Sequence, residues 1–271
     1  MKTFVIGDIH GRRMQLNLLL DMLPREAQTD TLVFLGDLID RGVDAPGVVS
    51  DVIKTHAAAP ANVLCLRGNH EQMMLDFLDE GASIWLTPII GGERTFEQYT
   101  GSPPLIMKEE DYETARAELQ ASIPPEHLEF IRRTPLYYED DYAFYVHAGL
   151  DKAKHPRDTD SHHLLWTRDK DFYMHYHGKP CLFGHTPTAF LPLRGRVGRH
   201  GIYIFHSAIG IDTGYNYNSP LSCLQLPEFI LYQSYADGHT NTHHITAFIP
   251  EELRAMQKLS PKSKVQSPKP A

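Results

Sequence analysis

The chain has 271 residues, 42% of them hydrophobic, which is enough to bury one sizeable core in a single α/β catalytic domain. Its 26 lysines and arginines against 34 acidic residues give a net charge of -8, which excludes holding nucleic acid by general electrostatics. Cys65, Cys181 and Cys223 are scattered and form no CxxC pair, excluding a disulfide framework or a thiolate zinc site, and no apolar run approaches the roughly 20 residues of a membrane span.

Met1-Lys2 leads straight into an apolar strand with no signal-like segment, so a soluble, cytoplasmic, monomeric protein with neither membrane nor nucleic-acid partner is expected. Thr3 to Gly7, Thr31 to Leu35 and Asn62 to Leu66 are apolar, β-branched runs that each end at a glycine-containing polar cluster, and they predict three buried strands. Between them Leu16, Leu19, Leu20 and Leu23, then Val48, Val49, Val52 and Ile53, recur at helical spacing. The pattern is βαβαβ with a parallel sheet. Right-handed crossovers put the carboxyl ends of parallel strands on one side, so the polar clusters should converge there.

From Ala82 the strand signals fade, and Glu109 to Ala121 and Pro125 to Arg133 predict helices, giving a helical insertion at about residues 82–134. Strand signals return at Tyr142 to His147, Pro180 to Phe183, Gly201 to Phe205, Leu221 to Leu226 and Glu228 to Ser234, which predicts a second sheet. Residues 258–271 repeat Ser-Pro-Lys with almost no apolar side chain, so a disordered tail is expected after a catalytic domain spanning 1–257.

Chemistry concentrates at the strand ends. In Gly7-Asp8-Ile9-His10-Gly11, residues two apart on extended backbone project to one side, so Asp8 and His10 could hold one ion. By itself an Asp-x-His at a strand end is more often a turn with a helix cap. Gly36-Asp37-Leu38-Ile39-Asp40-Arg41-Gly42 and Arg67-Gly68-Asn69-His70-Glu71 follow the second and third strands. A carboxylate can bridge two cations, whereas an amide oxygen such as that of Asn69 ligates without adding charge. His147 and His185 follow two later strands, in His147-Ala148-Gly149 and Gly184-His185-Thr186. Most of the 16 histidines must be hydrogen-bonded core or loop residues. Five strand-end motifs with oxygen or nitrogen donors beside small residues are hard to assemble by accident.

The ordered set GDIHG, GDLIDRG, RGNHE, HAG and GHT resembles the phosphoprotein-phosphatase branch of the calcineurin-like metallophosphoesterases, over roughly Phe4 to Gly214. With Leu165-Trp166-Thr167-Arg168 and Ile211-Asp212-Thr213-Gly214 added, the phage and bacterial members of that branch are the most similar. The resemblance implies an α/β fold of two packed mixed β-sheets flanked by helices. It implies two divalent or trivalent ions, manganese first, with iron, zinc or cobalt as alternatives. Asp8, His10 and Asp37 would hold one ion, and Asp37, Asn69, His147 and His185 the other, with Asp37 as the bridge. A hydroxide shared by the ions would attack phosphorus directly. His70 would protonate the leaving oxygen with Asp40 as its partner, although Asp40 could simply pair with Arg41. Arg41 and Arg168 would grip the phosphate.

The implied activity is a phosphoric monoester hydrolase acting on phosphoserine or phosphothreonine, and on phosphotyrosine, in a phosphoprotein or on a phosphorylated small molecule. Hydrolysis of diadenosine tetraphosphate or another nucleotide polyphosphate is the alternative, which Asp40 and Glu71 weigh against. Gly91-Gly92-Glu93-Arg94-Thr95 reads as a turn. Tyr215 and Tyr217 would line the mouth of the site or pack beneath its loop. Arg194, Arg196, Arg199 and His200 read as a solvated loop. His162-His163, His175, His177 and His243-His244 lack carboxylate or cysteine partners at metal-site spacing.

Overall fold

Strands β1 (Thr3–Ile6), β2 (Thr31–Phe34) and β3 (Val63–Cys65) are short runs that alternate side chains between two apolar layers. In β1, Phe4 and Ile6 face one layer and Val5 the other, which is why the run is apolar throughout. The computed structural model describes residues 1–151, 154–197, 201–214, 216 and 218–254. The expected tail at 258–271, and Arg199, His200, Tyr215 and Tyr217, lie outside the described residues.

The three strands pair in parallel, and β9 (Leu221–Leu226), β10 (Ile230–Ser234) and β11 (Thr240–His244) extend the sheet antiparallel from the free edge of β1. The order of this six-stranded sheet is β11-β10-β9-β1-β2-β3. A second sheet has the order β4-β5-β6-β8-β7, from β4 (Tyr137–Glu139), β5 (Phe144–Val146), β6 (Cys181–Phe183), β7 (Tyr203–Phe205) and β8 (Ala208–Gly210). It too is mixed, with β5-β6 and β6-β8 parallel and its two edge pairs antiparallel.

Val5, Val33, Leu224 and Leu231 of one sheet meet Tyr145, Leu182, Ile204 and Ile209 of the other. On the outer face of the first sheet pack α1 (Arg13–Met22), α2 (Ala45–Ala58), α3 (Asn69–Glu80), α4 (Gly92–Thr100), α5 (Asp111–Ser122) and α6 (Pro125–Arg133), through residues such as Leu16, Val49, Phe77, Phe96, Leu119 and Ile131. On the outer face of the second lie α7 (Ser161–Trp166) and α8 (Lys170–His175), through Leu164, Phe172 and Tyr173. A last short helix, α9 (Glu251–Arg254), sends Leu253 into the layer between the sheets.

Within the insertion expected at 82–134 the described elements are helical, including a 3₁₀ turn at Ser83–Leu86. The strand expected from Tyr142 begins at Phe144, because Asp140 draws the N–H groups of Tyr142 (2.8 Å) and Ala143 (2.9 Å) into a turn. The strand expected from Glu228 begins at Ile230, after Phe229 at φ 55°. Strands β4, β8 and β11 are additional to those expected.

A candidate metal centre at the strand ends

The clusters after β1, β2, β3, β5 and β6 converge, and backbone bonds lace them together. Ile9 and His10 donate their N–H groups to the Asp37 carbonyl (3.0 and 2.8 Å), and Gly184 donates to the His147 carbonyl (2.8 Å). Of the seven described non-glycine residues with positive φ, five are site candidates: His10 (48°), Asp37 (51°), Asp40 (71°), Arg41 (65°) and His185 (61°). Such backbone costs about 1–3 kcal/mol per residue and persists only where its surroundings impose it, which marks this region as shaped for function.

Asp37 sits at the middle. Its Oδ2 is 3.5 Å from His10 Nε2 and 3.8 Å from His70 Nε2, while its Oδ1 is 3.4 Å from His147 Nε2 and accepts the His70 N–H at 3.1 Å. Donor atoms within 4.8 Å of one another fall into two buried groups, His10–Asp37–His70 and Asp37–His147–His185, with Asp37 common to both. Asn69 joins the second, its Oδ1 lying 2.8 Å from His147 Nε2 and 2.7 Å from His185 Nδ1. Asp8 falls in neither group. Its Oδ2 accepts the His185 N–H at 2.9 Å.

The ring nitrogens facing away from the centre are already tied. His10 Nδ1 donates to the Ile39 carbonyl (2.9 Å) and His147 Nδ1 to the Leu35 carbonyl (2.9 Å), leaving each Nε2 lone pair turned inward, as metal ligation requires. Among the described residues, the buried side-chain atoms without a hydrogen-bond partner are Asp8 Oδ1 and His185 Nε2, and both lie here. Leaving such atoms unmet costs about 1–3 kcal/mol each. A cation would satisfy Asp8 Oδ1 and the inward imidazoles together, so this donor set fits metal ions with mixed oxygen and nitrogen coordination.

Electrostatics agree with that fit. Burial alone would raise the Asp37 carboxyl, but His147, His70, His10 and His185 more than offset it and hold it far below the usual carboxylate range. Burial depresses His10, His147 and His185, favouring neutral, ligand-competent rings. Burial, with Asp212 and Asp37 nearby, pushes Asp8 up. For a carboxylate stranded among carboxylates, a cation is the ordinary remedy.

His70 behaves differently from its neighbours. Burial would lower it, but Asp37 and Asp40 outweigh burial and raise it. Its Nδ1 donates to Asp40 Oδ2 at 2.6 Å, which turns Nε2 toward the centre. Asp40 is fully buried and does not pair with Arg41; its remaining donors are Trp85 Nε1 (3.0 Å) and Thr95 Oγ1 (2.8 Å). Trp85 comes from the 3₁₀ turn and Thr95 from α4, so the Gly91-Gly92 turn is part of the site. A Cβ on Gly92 would lie 2.2 Å from the Trp85 carbonyl oxygen and 2.6 Å from its ring. Arg41 reaches His10 Nε2 and His70 Nε2, each at 2.9 Å, and Arg168 stands exposed beside His147 and His185, near enough to disfavour their protonation.

Glu71 has a role that spacing alone did not reveal. Its Oε2 accepts the N–H groups of Asp37 (2.9 Å) and Gly68 (2.9 Å), and its Oε1 that of Leu38 (2.7 Å), so one carboxylate clamps the second motif to the third. Burial and the Asp37 charge push it up to about 7. A Cβ on Gly68 would stand 2.1 Å from Asp37 Oδ1, hence the glycine before Asn69.

Away from the centre, Asp160 does approach His162 and His163, contrary to the spacing argument, but the group is largely exposed. Asp160 caps α7 through the His163 N–H (2.9 Å) and pairs with the His163 ring (2.7 Å), which accounts for it. Arg196 is spent on the Leu191 carbonyl, at 3.0 and 2.7 Å.

The sequence profile of the calcineurin-like phosphoesterases matches residues 1–206. An asymmetrical bis(5′-nucleosyl)-tetraphosphatase of Oceanobacillus iheyensis is 26% identical over 84% of this chain and 90% of its own length. A symmetrical bis(5′-nucleosyl)-tetraphosphatase of Coxiella burnetii is 32% identical over 55% of this chain, which spans 42% of that relative. Serine/threonine-protein phosphatase 1 of Salmonella typhimurium is 40% identical over 31% of this chain and 37% of its own. In fold, a solved chain provisionally assigned as a diadenosine tetraphosphatase superposes with a TM-score of 0.59 at 20% identity, covering 89% of this chain and 92% of its own. No described helix is long and apolar enough to cross a membrane.

Proposed function

The chain belongs to the calcineurin-like phosphoesterases, and on that premise we propose that it hydrolyses phosphoric esters with water as nucleophile and metal ions as cofactors. The observation that carries this is Asp37, common to two buried groups of donors and flanked by the His70–Asp40 pair. Asp8, His10 and Asp37 would hold one ion, and Asp37, Asn69, His147 and His185 the second, manganese first among the candidates. When bound, two ions supply Lewis acidity and lower the pKa of the attacking water.

The chain's own residues do the rest. Arg41 and Arg168 take the non-bridging oxygens, for which planar guanidinium groups are suited. His70 presents Nε2 to the leaving oxygen and gives it a proton, while Asp40, itself fixed by Trp85 and Thr95, holds the ring in register and favours its protonated form. A donor of this kind matters most for poor leaving groups such as the side-chain alkoxide of phosphoserine or phosphothreonine, which makes a phosphoprotein one substrate class. Nucleotide polyphosphates are the second. The match over most of the chain to a bis(5′-nucleosyl)-tetraphosphatase supports them, against the preference drawn from Asp40 and Glu71 alone.

Removing metal and restoring manganese, iron, zinc or cobalt singly, with a phosphopeptide, diadenosine tetraphosphate and p-nitrophenyl phosphate as substrates, tests the reading. Metal-dependent turnover is expected on at least one. Folded Asp37→Ala and His70→Ala proteins that keep full turnover on every substrate would end it.

A further inference from the structure

Beside the centre lies a cavity of about 520 Å³, lined by four arginines, Arg12, Arg13, Arg41 and Arg94, together with Met14, Val43 and Pro88. In a chain of net charge -8 such a concentration calls for a reckoning of which cations are already neutralised. Arg13 is, through Asp51 (2.6 Å) and Asp44 (3.1 Å). Arg12 is spent on the carbonyls of Ile9 (2.9 Å) and Asp8 (2.6 Å). Arg41 and Arg94 make no direct ion pair with a carboxylate among the described residues. They are adjacent, with Arg94 Nη1 donating to the Arg41 carbonyl at 3.3 Å and the Arg41 N–H to the Gly91 carbonyl at 3.4 Å. Arg41 still faces the buried carboxylates of Asp8 and Asp212, so Arg94, exposed and with no carboxylate partner among the described residues, is the cation left to bind an anion at this end of the cavity.

The direction of the cavity identifies the anion. His70 Nε2, which would meet the leaving oxygen, lies 2.9 Å from Arg41 Nη2, and Arg41 lines the cavity together with Arg94, so the cavity is open to a leaving group on the Arg41 side of His70. Met14 and Val43 are exposed there, 52% and 79%, and offer apolar surface next to the two cations. Charge close to the scissile phosphate and an apolar face beyond it suit a phosphate chain that ends in a nucleoside. We propose that this cavity is the leaving-group subsite of a nucleoside polyphosphate, with Arg94 binding the phosphoryl group next to the scissile one. This rests on the phosphoesterase reading above and selects between its two substrate classes. In the step itself the water oxygen bonds phosphorus and the anhydride P–O bond breaks. Its electron pair stays on the departing phosphate, which His70 protonates, and the water proton passes to solvent.

The test uses the full chain with manganese, comparing kcat/KM on diadenosine tetraphosphate and ATP with that on a phosphopeptide and p-nitrophenyl phosphate. In Arg94→Gln the ratio of nucleotide to p-nitrophenyl phosphate activity should fall about ten-fold or more, chiefly through KM, as expected for losing one charge-assisted contact. Arg94→Lys should recover part of the loss, and Val43→Asp should repeat it. Calorimetric titration of ADP into the metal-free protein, compared with inorganic phosphate, should show weaker ADP binding in Arg94→Gln and unchanged phosphate binding. A ratio unaltered in Arg94→Gln, or a wild-type chain that hydrolyses p-nitrophenyl phosphate and phosphopeptide but neither nucleotide, overturns the subsite while leaving the phosphoesterase standing. No turnover of any substrate with any metal overturns both.

Discussion

His70 Nδ1 and Asp40 Oδ2 lie 2.6 Å apart, both residues buried, at the edge of a cluster of donors that centres on Asp37. If this pair supplies the proton, its worth depends on how badly the leaving group needs one. His70→Ala should lower kcat about 10²–10³-fold on a phosphoserine peptide, and much less on p-nitrophenyl phosphate, whose phenolate leaves readily. A series of aryl and alkyl phosphates would show a steeper leaving-group dependence in the variant. Parallel lines for variant and wild type would contradict the assignment.

Trp85 and Thr95 each donate a hydrogen bond to Asp40, which is not itself one of the candidate ligands. Trp85→Phe and Thr95→Val should each reduce kcat about 3- to 10-fold at nearly constant KM, because a looser Asp40 lets the imidazole wander. Thr95→Val also removes the acceptor of the Asp40 N–H (2.9 Å), and urea denaturation should register a loss of about 1–2 kcal/mol.

Glu71 acts as an acceptor only, so Glu71→Gln would turn an amide N–H₂ against backbone donors. Manganese affinity, followed by calorimetry, should fall about 10- to 100-fold. The metal-free protein should melt several degrees lower, at about 2–4 °C per kcal/mol for a domain of this size. A wild-type manganese isotherm from the variant would remove Glu71 from the account.

Arg13 binds Asp51 through both carboxylate oxygens, at 2.6 and 3.2 Å, joining α1 to α2, and these bonds hold the Asp51 carboxyl below its ordinary range. A lowered carboxylate adds stability above its unfolded pKa of about 3.9, and that stability is lost as pH falls through the folded value. Asp51→Asn should therefore cost about 0.5–1 kcal/mol at pH 7, modest because Arg13 is 42% exposed, and close to nothing under strongly acid conditions. Denaturation curves at both pH values decide it.

Strands β1 to β3 were legible because an apolar run buried on both faces and stopped by glycine has few other uses. The candidate ligands were legible for the same reason, since each stands within four residues of the end of such a strand. Strand β11, Thr-Asn-Thr-His-His, has no apolar residue; its side chains are exposed or half-exposed, and it forms because β10 offers an edge to pair with. Trp85 and Thr95 escaped because their link to Asp40 spans 45 and 55 residues, and nothing local distinguishes a tryptophan that packs from one that also donates a hydrogen bond. Glu71 was visible as a motif letter, but its backbone partners Asp37, Leu38 and Ile39 reach it only after two strand ends have met.

The free edge of β1 is closed by β9, Thr3 facing Leu226, and the Gly7 N–H that leads into Asp8 is tied to the Ser222 carbonyl at 3.2 Å. A ribosome making this protein releases every candidate donor, from Asp8 to His185, before it reaches the strand that seats the first of them. The pairing joins opposite ends of the described chain, so it carries a large loop-closure cost and forms slowly. Until then the nascent protein shows an unpaired strand edge beside a loose collection of imidazoles and carboxylates. Assembly of the candidate centre is thus a late event in the life of a chain whose first candidate ligand is Asp8.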